Sequence, residues 1–231
     1  MTRKPAAFLS TAILLCASNN VSAQVLQFIG CDVEQAGQFV STIDSVFDSM
    51  SGGYRPTVTL MQNTFNGPNP QTHTVLFEHA DYGRLQAWAG RIANTPAAQL
   101  FLARTGDNRE CNNQGLVIER ASWGNRDTDW GYVSLVPIST SDAEAYSALL
   151  GELATSATGE SAPGAIILYE GRAGTANSHF VVIQAPDFAS LNRYLDTIVQ
   201  SDDFADFLEE AAEIRTTGLS TQSRRVRTWE P

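Results

Sequence analysis

The chain has 231 residues and carries 25 acidic against 15 basic side chains, which gives a formal net charge of −10 at pH 7. Such an acidic surface repels nucleic acid and anionic membranes, and we expect neither as a partner. No segment after residue 23 has the length and apolarity of a membrane helix.

The first 23 residues have the pattern of a signal peptide. Arg3 and Lys4 give a positive start, residues 6–17 an apolar core, and Val21-Ser22-Ala23 a small-residue cleavage site. We therefore expect an exported protein, periplasmic or extracellular. Cleavage would leave 13 of the 15 basic residues against 25 acidic ones, a net charge of −12.

Cleavage would also remove Cys16 and leave Cys31 and Cys111. Two cysteines in an exported protein predict one disulfide bond. A redox pair or a metal site is the alternative, but 80 residues separate these cysteines, unlike a C-x-x-C motif. A bridge that closes so long a loop would contribute on the order of 4 kcal/mol if it were unstrained.

The first half of the mature chain predicts the order strand, helix, strand, strand, helix, strand. The predicted elements are a strand at 25–30, an amphipathic helix capped by Asp32 with Gln35, strands at 57–61 and 72–79, a helix from Asp81, a further helical turn after Thr95-Pro96, and a strand at 116–123.

The second half predicts the same order. Its elements are a strand at 131–138, a helix capped by Ser141 with Glu144, strands at 164–170 and 179–184, a helix at 187–199, a further helix capped by Ser201, and a strand at 222–229. Residues 125–130 form the linker between the halves.

The two halves are also similar in sequence. Residues 73–102 align without a gap on residues 179–208, and their identical pairs are His73/His179, Val75/Val181, Asp81/Asp187, Leu85/Leu191, Ile92/Ile198, Phe101/Phe207 and Leu102/Leu208. Such an internal duplication indicates two copies of one fold. We assign residues 24–124 to the first repeat and residues 131–231 to the second.

The order of elements in each repeat is that of the ferredoxin-like fold. Right-handed crossovers place the first and third strands at the centre of the sheet, with the fourth strand beside the first. In that topology Cys31, just past the first strand, and Cys111, just before the fourth, lie at the same end of neighbouring strands. The predicted fold and the predicted disulfide are therefore consistent with each other.

The stretches ADYGRLQAWAGRIANTPAAQLFL (80–102) and PDFASLNRYLDTIVQSDDFADFL (186–208) are similar to helices of antibiotic-biosynthesis-monooxygenase-type domains. In pattern, nearly the whole mature chain resembles the dimeric α/β-barrel superfamily. The resemblance implies an α+β fold in which two tandem ferredoxin-like repeats form a pseudo-two-fold α/β barrel, with helices outside and a ligand cavity inside.

That superfamily includes cofactor-independent monooxygenases, isomerases, haem enzymes and proteins without known chemistry, so the resemblance constrains function little. None of its catalytic motifs is recognisable in this chain. We therefore assign no catalytic residue and expect no cofactor.

His73 and His179 occupy equivalent places at the start of the third strand of each repeat. They are candidate ligands or proton carriers that face a shared cavity. The alternative is a histidine at a strand end that bonds to a neighbouring loop and was inherited through duplication. A metal site at Glu78, His79 and Asp81 is not expected, because Glu78 and His79 point to opposite faces of a strand.

The closing strands carry the second set of candidates, which by strand parity share one face: Glu119 and Trp123 in the first repeat, and Arg225, Arg227 and Trp229 in the second. If that face lines the barrel, the arginines could hold an anion in a bidentate manner and the tryptophans could supply apolar area. The alternative is a charged edge strand whose tryptophans close the core.

From these observations we expect a protein that binds a small anionic or aromatic molecule inside the barrel. Two alternatives stay open. One is a cofactor-independent monooxygenase or isomerase that uses a histidine as proton carrier. The other is a protein-interaction module without a ligand. The sequence favours no particular oligomeric state.

Overall fold

The computed structural model describes residues 24–50, 52–103, 109–126, 129–159 and 162–231. The expected signal peptide at 1–23, with Cys16, lies outside these residues. No helix in the described part of the chain is long and apolar enough to cross a membrane.

The first repeat consists of β1 (Val25–Val33), α1 (Ala36–Ser49), β2 (Thr57–Phe65), β3 (His73–His79), α2 (Tyr82–Ala93), α3 (Pro96–Ala103) and β4 (Arg109–Gly124). The second consists of β5 (Tyr132–Thr140), α4 (Ala143–Ala157), β6 (Ala165–Ala173), β7 (His179–Ala185), α5 (Phe188–Val199), α6 (Asp202–Glu210), β8 (Arg215–Thr217) and β9 (Thr221–Trp229). The short strand β8 was not predicted.

The strands form one closed sheet. Its order is β7-β6-β4-β1-β3-β2-β9-β5, and the pairing of β5 with β7 closes the barrel. The short strand β8 pairs with the last residues of β5, beyond those that pair with β9. Within each repeat the first and third strands are central and the fourth lies beside the first, as predicted. The seams are the antiparallel pairs β2–β9 and β4–β6, so both repeats complete one α/β barrel.

Helices cover the outer face of the sheet, and their contacts with it form two separate hydrophobic cores. The core of the first repeat centres on Phe39 and Phe47 of α1 and on Trp88 of α2. The core of the second centres on Tyr146 of α4 and Leu191 of α5. These helices present apolar side chains at three- and four-residue spacing, and burial of each such side chain contributes about 1.5–3 kcal/mol.

The predicted helix caps are partly correct. Asp81 and Ser201 cap α2 and α6, each accepting a bond from the backbone N–H three residues on. Asp32 does not cap α1, because β1 continues through Asp32, which pairs with Glu110 of β4. The cap of α4 is Asp142 rather than Ser141.

The disulfide bond between Cys31 and Cys111 is confirmed. The two residues are directly opposite each other in the β1–β4 ladder, with their Cα atoms 4.1 Å apart. Both lie inside their strands rather than beyond the strand ends, because β1 and β4 are longer than predicted.

Candidate functional site

The interior of the barrel contains a cavity of about 370 Å³. Alternation along each strand creates it, because every second side chain of β1 and β3 points inward. Leu26 and Phe28 of β1 line the cavity beside Glu78 and Leu76 of β3, their partners in the ladder.

Most of the cavity wall is apolar. The apolar and aromatic lining residues include Leu26, Phe28, Met61, Leu76, Val117, Val133, Leu135, Tyr169, Phe180 and Val182. Phe28 of the first repeat meets Phe180 of the second edge to face, with ring centroids 6.3 Å apart. Several of these side chains, such as Leu76 and Val182, are only half-buried although they point into the barrel. Their exposed surface is therefore surface of the cavity.

Amide side chains gather where hairpins join β2 to β3 and β6 to β7: Asn63, Asn69, Gln71, Asn113 and Asn177. Asn63 donates to the Gln71 carbonyl at 2.8 Å and accepts from the Ser223 hydroxyl at 2.9 Å. The buried Gln71 side chain accepts from Asn113 at 3.2 Å and lies over Gly30, where a Cβ atom would be 2.1 Å from Gln71 Oε1. Glycine at position 30 makes room for this polar rim.

The opposite end of the barrel holds a network of charged groups. Arg126, in the connection after β4, donates to both carboxylate oxygens of Glu119. Its second nitrogen donates to Gln24 Oε1 at 3.2 Å, and Gln24 Nε2 donates to Glu78 Oε2 at 2.8 Å. Arg126 thus binds Glu119 directly and is linked to Glu78 only through Gln24, and of these residues only Glu78 lines the cavity.

Burial sets the protonation of this end of the cavity. Loss of hydration raises the pKa of Glu78, and the nearby Arg126 charge and the Gln24 hydrogen bond offset this only in part. Burial likewise raises the pKa of Tyr169, whose ring lines the same cavity. A carboxyl group with a raised pKa in an apolar cavity is suited to exchange a proton with a bound molecule.

Glu119 is the one predicted candidate that joins this network. The residues of β4 change face after it, because Glu119 pairs with Tyr169 but Ala121 pairs with Leu168, which leaves Arg120 as an extra residue. This bulge turns Glu119 toward the interior and Trp123 toward α4. Glu119 and Trp123 therefore do not share a face.

The other closing-strand candidates do not line the cavity. Trp229 is buried in the core of the first repeat. Arg227 pairs with Asp44 at 2.9 Å. Arg225 pairs with Asp129 and lies 5.0 Å from the ring of Trp130, which itself lines the cavity. Both arginines therefore pair with aspartates, and neither lines the cavity.

His73 and His179 lie on the outer face of the sheet, beneath the helices. His73 contacts Phe39 edge to face and bonds to Thr72 Oγ1 at 2.9 Å. His179 contacts the ring of Tyr146 and bonds to the adjacent Ser178 at 3.0 Å. Neither lines the interior cavity, and both have the strand-end arrangement described above as the alternative.

A second, shallower depression lies on the surface between Trp123 of β4 and helix α4. Its lining residues are Trp123, Ala148, Gly151, Glu152, Thr155 and Ser156. It is an open groove rather than an enclosed site, so the interior cavity is the stronger candidate.

No family model and no curated protein sequence matches this chain. Solved structures do match. A provisionally assigned monooxygenase from Fusobacterium nucleatum is 13% identical, with 89% of this chain and 94% of that chain covered and a TM-score of 0.61. An anthrone oxidase-like protein is 14% identical, with 90% and 92% covered and a TM-score of 0.62. A haem-binding protein from Thermus thermophilus is 8% identical, with 89% and 92% covered and a TM-score of 0.53.

Identities this low show a shared fold and no more. The chain therefore has the dimeric α/β-barrel fold, as the resemblance noted in its sequence implied, with both halves of the barrel supplied by one polypeptide.

The haem-binding neighbour raises the question of whether this chain could hold haem. Histidine is a common axial ligand of haem iron, and the chain has three histidines, His73, His79 and His179. All three are buried on the outer face of the sheet, and none lines the interior cavity or the Trp123 groove. The histidines therefore do not fit a haem in either site. Within the described ranges, no cluster of three or more His, Cys, Asp or Glu could hold a metal ion.

Proposed function

We propose that the barrel interior binds a small organic molecule that is mainly apolar and carries no negative charge. The observation that carries this proposal is the cavity of about 370 Å³ with apolar walls, in which Glu78 is the only charged residue among the described lining residues. Ligand sites in proteins are concave and mostly apolar, with a few placed polar groups.

The size of the cavity limits the ligand. A water molecule takes about 30 Å³ in the liquid, so the cavity has room for roughly a dozen non-hydrogen atoms. A single aromatic ring with a short substituent is of this size. The amide rim and Glu78 would then meet polar groups at the two ends of the molecule.

The proposal excludes an anionic ligand, which was one part of the prediction from the sequence. That prediction depended on Arg225 and Arg227 facing the interior, and both pair with aspartates elsewhere. An anion in the cavity would meet Glu78 without a lining cation. The aromatic part of the prediction stays within the proposal, because Phe28 and Phe180 form part of the wall.

Titration calorimetry with 2-phenylethanol, a neutral aromatic molecule of suitable size, tests this function. We expect saturable binding that is lost in Val182→Trp, since the larger side chain would fill the cavity. The matched control is Val226→Trp, at an exposed position that does not line the cavity. If Val182→Trp has a lower melting temperature than the natural chain, Leu76→Phe replaces it as a variant that fills less of the cavity. Equal binding by the filled and control variants would overturn the proposal.

A second candidate function is catalysis of proton transfer, which would make the protein an isomerase or a cofactor-independent monooxygenase. Glu78 favours it, because a carboxyl group with a raised pKa is a suitable general base. The test is exchange of the α-protons of phenylacetone in D₂O, followed by NMR. An enzyme should accelerate this exchange and Glu78→Gln should abolish the acceleration. No acceleration by the natural chain would remove this candidate.

We also propose that the protein is exported. The pattern of residues 1–23 supports this, and so does the disulfide bond, since such bonds persist in oxidising compartments. Mass spectrometry of protein from the producing cells tests it. Export predicts a chain that begins at Gln24, and an intact N-terminus in a cytoplasmic fraction would contradict it.

A further inference from the structure

We propose that the ligand of the barrel carries a protonated amine, and that Glu78 is the residue that binds it. This inference rests on the proposed function, because it names the chemical class of the molecule in the same cavity. It predicts a positively charged ligand, whereas the sequence predicts a small anionic or aromatic one.

The first argument is the position of Glu78. Its side chain points inward from β3 near the end of the strand, opposite Leu26 of β1 and Thr57 of β2. Among the described residues, Gln24 alone donates a hydrogen bond to it, and none forms an ion pair with it. A carboxylate oxygen is therefore left to accept bonds from a molecule in the cavity.

The second argument is the balance of charge around Glu78. Arg126, whose positive charge acts on Glu78, is bound through Nη1 to both oxygens of Glu119 and through Nη2 to Gln24. The other charged groups that act on Glu78 are Glu230 and Glu119, and both are acidic. One guanidinium group thus faces several carboxyl groups. Because an unpaired charge away from water is costly, an ammonium group in the cavity would stabilise this end of the barrel.

The third argument is the aromatic wall. Phe28, Tyr169 and Phe180 line the same cavity as Glu78. Aromatic faces attract ammonium groups, and the attraction grows when water is excluded. The same walls take up an apolar body. A small amine with one aromatic or aliphatic group therefore matches both the charge and the surface of the cavity.

Three nearly isosteric probes test the inference by titration calorimetry at pH 7: 2-phenylethylamine, 2-phenylethanol and phenylacetate. The natural chain should bind the amine about 10- to 100-fold more tightly than the alcohol, which is the range for a hydrogen bond to a charged partner. It should bind phenylacetate most weakly. The variant Glu78→Gln keeps an acceptor for Gln24 and should lose the preference for the amine.

Two further variants make the test specific. Glu209→Gln makes the same chemical change and the same change in net charge at an exposed site on α6, and it should retain the preference. Glu119→Gln should reduce the preference, because it releases the Arg126 guanidinium group for Glu78.

The possible failures are distinguishable. If the alcohol binds inside the barrel as tightly as the amine, the amine inference is overturned and the proposed function stands. The same holds if Glu78→Gln prefers the amine as strongly as the natural chain. If none of the three probes binds, the inference and the proposed function both fail.

Discussion

The indole nitrogen of Trp229 donates a hydrogen bond to Asp44 Oδ1 at 2.8 Å, across 185 residues of chain. Trp229 ends the last strand of the second repeat, and Asp44 lies on the first helix of the first repeat. The indole also stacks on Phe47 of that helix, with ring centroids 5.9 Å apart. The last strand of the first repeat makes the equivalent contact, since its Trp123 packs against the core of the second repeat. The two repeats therefore stabilise each other.

Removal of this hydrogen bond should destabilise the protein. Trp229→Phe keeps an aromatic ring on Phe47 but removes the donor to Asp44, and we expect a loss of about 1.5 kcal/mol in the free energy of unfolding, as for a bond to a charged acceptor. Trp123→Phe is the control, because Gly151 stands in α4 where Asp44 stands in α1 and offers no side-chain acceptor. Urea unfolding of both variants measures the difference. Equal losses would show that the bond to Asp44 contributes nothing.

The disulfide bond should stabilise the fold by limiting the unfolded chain. Cys31→Ser combined with Cys111→Ser should lower the free energy of unfolding by up to about 4 kcal/mol, because the bond closes a loop of 80 residues. Unfolding with and without a reductant gives the same quantity. The double variant should be insensitive to reductant. A natural chain that is equally stable under both conditions would contradict the prediction.

His79 should make the protein sensitive to acid. Its ring is fully buried, with Tyr54 Oη 3.2 Å from Nδ1 and no partner at Nε2 within the described residues. Burial lowers the pKa of His79 from 6.5 to about 4. The neutral form is thus favoured in the folded state. The stability that His79 contributes is fully present above pH 6.5 and is lost progressively as the pH falls from 6.5 to 4.

This loss should amount to about 3 kcal/mol between pH 7 and pH 4. His79→Phe should reduce the difference in unfolding free energy between these two pH values by that amount. His73 and His179 contribute in the same direction, because burial lowers the pKa of each, so part of the acid sensitivity should remain. An unchanged pH dependence in His79→Phe would be evidence against a buried neutral imidazole.

Gly164 should not tolerate a side chain. A Cβ atom there would lie 2.1 Å from the backbone oxygen of Gln184, which cannot move without shifting β7. Gly164→Ala should therefore cost about 1–3 kcal/mol or more, as for overpacking. Gly37→Ala in α1 is the comparison, since a Cβ there would meet no atom within 4 Å beyond the adjacent residues and the backbone of its own helix, and the change should stabilise by roughly 0.5–1 kcal/mol. Similar thermal midpoints for the two variants would refute this account of Gly164.

The topology was predictable because the duplication repeats the same pattern of apolar positions. Alternation along β3 was also predictable, and it correctly separates the inward Glu78 from the outward His79. The signal for the functional candidate was therefore present in the sequence. In the sequence, however, Glu78 stands out only as a possible metal ligand beside His79, and the opposite directions of the two side chains argue against a metal site.

The rest depends on how the barrel closes. The bulge at Arg120 reverses the face of Trp123 relative to Glu119, and a second one between Leu60 and Met61 separates Arg227 from Arg225. Both bulges occur where strands of the two repeats pair with each other, and no local sequence pattern predicts that pairing. The cavity wall likewise combines side chains from β1 to β7 and from β9, and their proximity exists only in the closed sheet.

The most direct test of the account is a crystal structure of the protein with 2-(4-bromophenyl)ethanol, in which anomalous scattering locates the bromine atom. The account predicts a single strong peak inside the barrel, among Phe28, Tyr169 and Phe180. A peak only on the outer surface, as in the groove beside Trp123, would contradict it. So would the absence of any peak at a ligand concentration that saturates binding in solution.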